Sequence, residues 1–205
     1  MKKPRLLLSG LFLMLLYPPL SSASVTIGDR APDFSLEDPL GQTHFLSDYM
    51  GKYVVLEWIN HGCPFVKKHY KDGHMQKLQK AFTEDDVIWL SINSGAPGKQ
   101  GHWTPEKAIA ETEAHNAHPT AILLDSDGSV GRLYDARTTP HMFLINPEGI
   151  LMYQGAIDSI PSADPADVPK ATNYIQKAFD EASSGQSVSE PQTRPYGCSV
   201  KYGPE

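Results

Sequence analysis

Cysteine is scarce in this chain. Cys63 and Cys198 are the only two among 205 residues, too few for a scaffold built on disulfides, and a chain this long buries a core without such staples. Positive charge is short as well, with 18 Lys and Arg against 24 Asp and Glu. That acidic balance disfavours nucleic acid and anionic membrane as partners. Beyond the first two dozen residues no long apolar run occurs, so nothing there argues for a membrane span. Internal repeats are missing, and so are nucleotide and flavin motifs. No cofactor is therefore implied, and any redox chemistry receives its electrons through thiols.

What is present begins with a leader. Lys2, Lys3 and Arg5 precede a nearly unbroken apolar run from Leu6 to Leu16, and Ser21-Ser22-Ala23 supplies small residues behind it. This is the pattern of a secretory signal over residues 1–23, cleaved after Ala23. A membrane anchor is the alternative, but the run is short of the about 20 residues a span needs. No cysteine follows it to accept a lipid. Export of a soluble protein to the periplasm or the extracellular space is the expectation, with no stable membrane span after cleavage. Loss of the leader's three cations takes the formal charge from -6 to -9. Residues 24–183 then read as one α/β domain, and 184–205 as a polar, irregular, flexible tail that carries Cys198.

The chain centres on KYVVLEWINHGCPFVKKHY, Lys52 to Tyr70. An apolar run containing one acid, Glu57, leads through a polar turn to Cys63, and Pro64 opens a helix. The reactive form of cysteine is the thiolate, and unpaired N–H groups at a helix start favour an anion. Strand, turn, Cys-Pro, helix is thus a device for presenting a reactive thiol.

Around it the patterns alternate. A hairpin is expected near Phe34 to Gly41, a strand over Lys52 to Asn60, and a helix to about Phe82 with Gly73 as a weak point. Next come a buried strand (Val87 to Asn93), a Gly/Pro-rich loop (Ser94 to Trp103) and a helix from Thr104 to about Asn116. A strand over Ala121 to Asp125, a short helix near Val130 to Tyr134, and a hairpin of His141–Asn146 with Ile150–Gln154 follow. Pro169 to Ser183 is a last amphipathic helix. Strands alternating with helices, closed by a hairpin, describe a mixed central sheet flanked by helices.

Five segments carry a resemblance: IGDRAPDFSLEDPLGQ, WINHGCPFVKKHY, TPHMFLINPEG, QGAID and the closing GCSVKY. In this order, from about Val25 to Tyr202, the chain resembles the redoxin group of the thioredoxin superfamily, the AhpC/TSA or peroxiredoxin-like branch. The ending is similar to that of a peroxiredoxin-like subgroup. The resemblance implies a thioredoxin-like α/β fold with an N-terminal hairpin extension, and an exported thiol oxidoreductase that reduces peroxides or disulfides through Cys63. It also implies a thiol reductant, thioredoxin-like or a membrane thiol donor. Glu57 takes the register of a buried acid that moves protons to and from the cysteine, a role that burial would favour by raising its pKa. Thr139-Pro140 takes the place of a cis-proline that lies against the active thiol and pairs with substrate, with Pro64 and Asn60 on the same substrate side. His141, and also His61, would then lie near Cys63 as a thiolate partner or proton acceptor. Cys198 would resolve the oxidised Cys63 as a disulfide.

The chain also departs from the pattern. Leu56 and Asn60 stand where a peroxiredoxin has its proline and its threonine or serine, His141 stands near the place of its arginine with Arg137 offset, and Val66 replaces the second cysteine of a Cys-x-x-Cys pair. Lys67 and Lys68 read as solvated. Two rival readings stay open. One is a copper- or zinc-handling module using Cys63 with His61 or His141, although surface residues explain the His69/His74 and His115/His118 spacings better and no metal ligands are assigned. The other is a noncatalytic domain with a structural Cys63–Cys198 disulfide.

Overall fold

The computed structural model describes residues 25–204; the leader expected over residues 1–23 lies outside them. β1 (Ser35–Glu37) and β2 (Thr43–Phe45) form the expected hairpin, turned at Gly41. β3 (Val54–Trp58) leads to α1 (Pro64–Tyr70) and α2 (His74–Glu84), followed by β4 (Ile88–Asn93) and α3 (Pro105–Ala114). Then come β5 (Ala121–Leu124), α4 (Ser129–Leu133), β6 (Thr138–Thr139), β7 (His141–Ile145) and β8 (Leu151–Gly155). A 3-10 turn (Pro165–Lys170), α5 (Tyr174–Ser183) and β9 (Cys198–Ser199) complete the order.

Seven strands form one mixed sheet in the order β2-β1-β5-β4-β3-β7-β8. β3, β4 and β5 are parallel, whereas β7 runs against β3 and β8 against β7. Every residue of β3 and β4 is buried, as a central strand covered on both faces requires. Strand alternation then sorts the side chains. Val55, Ile59, Met142 and Leu144 face α1, α2 and α5, packing with Cys63, Met75, Phe82 and Ile175. Val54, Leu56, Trp58, Phe143 and Ile145 face the other way, onto Phe34, Val130 and Tyr134.

Three local expectations change. The helix after Cys63 is two helices, because Gly73 adopts φ 76 and turns the chain between them. The last helix starts at Tyr174 rather than Pro169: Ala171 is extended, and the Asn173 side chain caps the helix by accepting from the Gln176 N–H at 3.0 Å. The tail is not a loose extension. Residues 191–203 lie across the domain, with Thr193 N–H bonded to Gln154 O (3.1 Å), Ala96 N–H to Lys201 O (2.9 Å) and Tyr202 O–H to Ala136 O (2.7 Å). No described helix is long and apolar enough to cross a membrane.

Candidate active site: a dithiol beneath the C-terminal strand

The turn after β3 is built by Asn60. Its Oδ1 accepts from Gly62 N–H (2.9 Å), its backbone oxygen accepts from Cys63 N–H (2.9 Å), and its Nδ2 donates to Gln100 Oε1 (3.1 Å). Cys63 therefore caps α1, with Pro64 exposed at the first helical position. Asn60 directs its amide to the turn and to the 94–103 loop and so aims Cys63.

Opposite the turn, the Thr139-Pro140 peptide is cis. β6 pairs antiparallel with β9, setting Thr139 against Cys198 and Thr138 against Ser199. Cys63 Sγ lies 3.1 Å from Thr139 O and 2.7 Å from Cys198 Sγ, and Cys198 N–H points at Cys63 Sγ from 3.4 Å. A disulfide of about 2.05 Å needs the two sulfurs to close by roughly 0.7 Å. Gly197 makes this approach possible. It has φ 142, and a Cβ there would sit 2.1 Å from Thr139 O, so a side chain at this position would lift the strand.

The two thiols are electrostatically unequal. Burial pushes the Cys63 pKa up, but hydrogen bonds from the Cys198 thiol and from the Val66 and Cys198 N–H groups outweigh it, and the net is below the ordinary thiol value. Burial, the hydrogen bond to Cys63 and repulsion by its charge push Cys198 up to about 11, against a smaller opposing effect of Lys201. Cys63 is thus the more acidic thiol of the pair and the first to lose its proton. α1 has only seven residues, and the Cys198 thiol with the named N–H groups, rather than a long helix dipole, accounts for the shift.

With this geometry in view, known proteins supply the family. Residues 27–154 match the AhpC/TSA family. The chain belongs to that family. The thiol-disulfide oxidoreductase ResA of Bacillus subtilis (strain 168) is 33% identical over 128 residues, 62% of this chain and 65% of that protein. Peroxiredoxin Bcp of the same organism is 28% identical over 116 residues, 55% of this chain and 65% of that protein. The matched stretch thus spans just under two thirds of either relative. Among solved structures, a hypothetical protein of Sinorhizobium meliloti 1021 superposes with TM-score 0.75 at 27% identity, covering 89% of this chain and 98% of that one. The thioredoxin-like α/β fold is shared with solved thiol-disulfide proteins.

Other candidate residues of this AhpC/TSA chain fall in separate places. Glu57 is wholly buried on the Cys63 face of the sheet. Its carboxyl accepts from Tyr70 O–H (3.0 Å), Trp89 Nε1–H (2.8 Å), Ser91 O–H (2.9 Å) and Gln79 Nε2–H (3.2 Å). Burial raises its pKa, and the four donors only partly oppose this. None of its hydrogen-bond partners is Cys63, so Glu57 holds α1, α2 and β4 together and reaches the thiol only through α1.

His141 is not brought to Cys63. One residue along a strand reverses the face: Met142 joins the Cys63 cluster, while the His141 ring packs on Phe143 (4.5 Å between centroids) and its Nδ1 accepts from Arg137 N–H at 3.3 Å. Burial lowers its pKa to about 3, so the ring is neutral. His61 is buried, at 3% exposure. It stacks on His115 at 3.8 Å and 5°, and burial and His115 lower its pKa to about 3. Glu111 lies beside this pair. One ligand atom from each of the three lies within 4.8 Å of the others, and the near-parallel rings would have to tilt for their in-plane lone pairs to point at one ion.

Sequence reasoning missed one cluster. Lys68 is wholly buried, contrary to its reading as solvated, and donates to Asp158 Oδ2 (2.8 Å), Ile160 O (2.7 Å) and Tyr196 Oη (3.2 Å). The Tyr196 hydroxyl donates to Asp158 Oδ1, and its ring packs on Phe65. This buried ion pair ties α1 to the strand that carries Cys198. The available signal was the clustering of Asp158 in QGAID and Lys68 in FVKKHY within the segments that carry the resemblance.

Proposed function

We propose that the chain is an exported thiol oxidoreductase in which Cys63 and Cys198 form a reversible dithiol–disulfide couple, with peroxide as the oxidant. The observation that carries this reading is the antiparallel pairing of Thr139 with Cys198, which holds two free thiols 2.7 Å apart. The Cys63 thiolate attacks one peroxide oxygen, the O–O bond breaks, and the departing oxygen takes a proton from solvent to leave as water or an alcohol. Cys63 is then a sulfenic acid. The Cys198 thiol displaces its hydroxyl, water leaves, and the disulfide forms. Two external thiols restore the pair.

A small oxidant suits the site because the β6 edge beside Pro140 is occupied by β9, and Cys63 is 1% exposed. An extended protein substrate finds no free edge there, whereas a peroxide needs only a small opening. Thr139 positions both sulfurs through its backbone, and Pro140 and Pro64 flank the thiol. His141 has no step in this scheme, and Glu57 supports α1.

Peroxide consumption driven by a thiol reductant tests the proposal. Cys63→Ser abolishes turnover, whereas Cys198→Ser halts after one equivalent with a sulfenic acid on Cys63 that dimedone traps. No reaction with peroxide, but fast reaction with oxidised glutathione, would replace this reading with disulfide exchange.

A further inference from the structure

His61 is 3% exposed, yet its buried Nδ1 has no hydrogen-bond partner among the described residues. A buried polar atom left unpaired destabilises a fold, so one that persists calls for a reason. The ring stacks on Trp103 (5.4 Å between centroids, 23°) as well as on His115, and Tyr70 meets it edge-on at 4.6 Å. Glu111 and His115 stand one turn apart at the C-terminal end of α3 and so share a helix face. Gln76 Nε2 donates to His115 O (2.7 Å) and to Tyr70 O (2.8 Å), which fixes that end of α3 against the end of α1. One ligand atom from each of His61, Glu111 and His115 lies within 4.8 Å of the others.

We propose that His61, Glu111 and His115 bind one divalent ion of the zinc class, with water in the fourth position. Two imidazoles and one carboxylate form a zinc donor set with an open site, whereas magnesium and calcium take oxygen ligands. Cys63 is not a ligand, because its sulfur is engaged with Thr139 O and Cys198 Sγ. The site is therefore separate from the thiol pair and independent of the couple put forward above. His61 stands two residues before Cys63, so the ion fastens the Cys63 turn to α3.

The surroundings suit a cation. His115 Nδ1 lies 2.9 Å from Glu111 O; a carbonyl only accepts, so Nδ1 carries the proton and Nε2 keeps its lone pair. A metal-binding histidine is ordinarily oriented by such a bond. The C-terminal end of α3 favours positive charge. The Glu111 and His115 side chains are 27% and 29% exposed, which gives an ion entry from solvent, with buried His61 as the floor. Zinc–ligand bonds of about 2.0–2.2 Å set tetrahedral ligand atoms about 3.4 Å apart. The three groups must then draw together by at most about 1.4 Å from their present spread. Rotation of the partly exposed His115 ring about its soft Cβ–Cγ torsion supplies both this closure and the tilt out of stacking.

The test uses the Cys63→Ser/Cys198→Ser protein, in which no thiol competes for metal. It is stripped with chelator, then titrated with Zn2+ by calorimetry and with Co2+ by visible absorbance. Uptake of one equivalent of Zn2+ is expected, with Co2+ bands of nitrogen and oxygen ligation. Added to that background, Glu111→Gln and His115→Gln change half-exposed side chains and leave the core intact. Each should weaken Zn2+ binding about tenfold or more, whereas His118→Gln, at an exposed histidine three residues on, should leave it unchanged. His61 is tested without mutating a buried ring: Zn2+ should slow amide hydrogen exchange in the turn of residues 60–63. No uptake of Zn2+, uptake that Glu111→Gln and His115→Gln leave unchanged, or exchange in the turn that Zn2+ does not alter overturns the proposal.

Discussion

Cys63 and Cys198 are neighbours held by different kinds of structure. Cys63 stands on a local device: β3, a turn closed by Asn60, and a helix begun by Pro64, all within a dozen residues. Cys198 stands on long-range contacts alone. Two residues of β9 pair with two of β6, and the rest of its support comes from Tyr153, Asp158, Ala136 and Ala96, distant in the chain. The local device sits in the core, where burial opposes a charge; the long-range one lies at the surface and supplies the hydrogen bond that favours the ionised form of Cys63. Reactivity at Cys63 is therefore a property of the joint between them. Changes that damage one side without the other separate their contributions.

Acid strikes the Cys63 side. His61 in the turn, His69 on α1 and His141 on β7 are buried, and burial lowers their pKa values to about 3, 4 and 3. The tail beyond residue 184 carries no histidine. In the unfolded chain these rings titrate near about 6.5, so the unfolded state binds more protons below that pH. Stability is then intact above about 6.5 and lost as pH falls toward the folded values, by about 2 kcal/mol per ring at pH 5. Glu57 and Asp125, whose pKa values burial raises, oppose this at lower pH, because their folded forms take up protons first. Urea unfolding between pH 7 and pH 5 should show uptake of up to three protons, and a flat profile would contradict neutral burial of these rings.

Breaking the buried ion pair comes next. Asp158→Ala leaves the Lys68 charge buried and should cost about 3–5 kcal/mol, read as a fall in denaturation midpoint. Lys68→Met with Asp158→Leu should recover most of it. If the double variant is no better than the single one, the loss has another cause.

Gly197→Val attacks the joint itself. Its Cβ would meet Thr139 O, so β9 lifts while the Cys63 turn stays intact. Formation of the disulfide after peroxide should slow about a hundredfold, since the second thiol loses its fixed placement. The initial attack on peroxide is measured separately by trapping the sulfenic acid. An unchanged disulfide rate would show that the β6–β9 pairing does not place Cys198.

Tyr196→Phe is gentler. It keeps the ring on Phe65 and removes the hydroxyl's hydrogen bonds to Asp158 and from Lys68, a loss of about 1–2 kcal/mol. The loss should appear as faster hydrogen exchange in the tail, with the amides of β3 and β4 unaffected; uniform acceleration would mean that tail and core open as one unit. The smallest change is Cys198→Ala. It removes a donor to Cys63 and should raise the Cys63 pKa, so that thiolate absorbance develops at higher pH than in the parent. An unshifted titration would assign the lowered pKa to the backbone N–H groups of residues 66 and 198 and not to the Cys198 thiol.

The same division between local and long-range support governs how much of the molecule is legible in its sequence. The sheet, the hairpins and the Cys-Pro helix start follow from periodicity and turn residues close in sequence, and the thioredoxin-like fold was legible from them together with the five quoted segments. The place of Cys63 at the strand-to-helix turn follows from the same local pattern, and the cis Thr139-Pro140 bond beside it was expected from the resemblance alone. The helix break at Gly73 was half legible, as a weak point whose left-handed φ the neighbouring residues do not dictate. His141 was misplaced because position near a cis-proline says nothing about strand face, which inverts with each residue. The burial of His61 and Lys68 depends on His115, Trp103 and Asp158, 42 to 90 residues away, and no local pattern encodes it. The tail looked flexible because it is polar and irregular, yet its order comes from partners spread over the whole chain.

The central claim is that Cys63 and Cys198 exchange between dithiol and disulfide within the folded protein. The most direct measurement is intact mass with a free-thiol count, on the reduced protein before and after one equivalent of peroxide, without denaturant. The account predicts loss of both thiols and of two hydrogens, with no sulfur-bound oxygen remaining, and full return of both thiols on adding a small dithiol under native conditions. Two thiols that persist through peroxide, or a bond that yields only after unfolding, would contradict it.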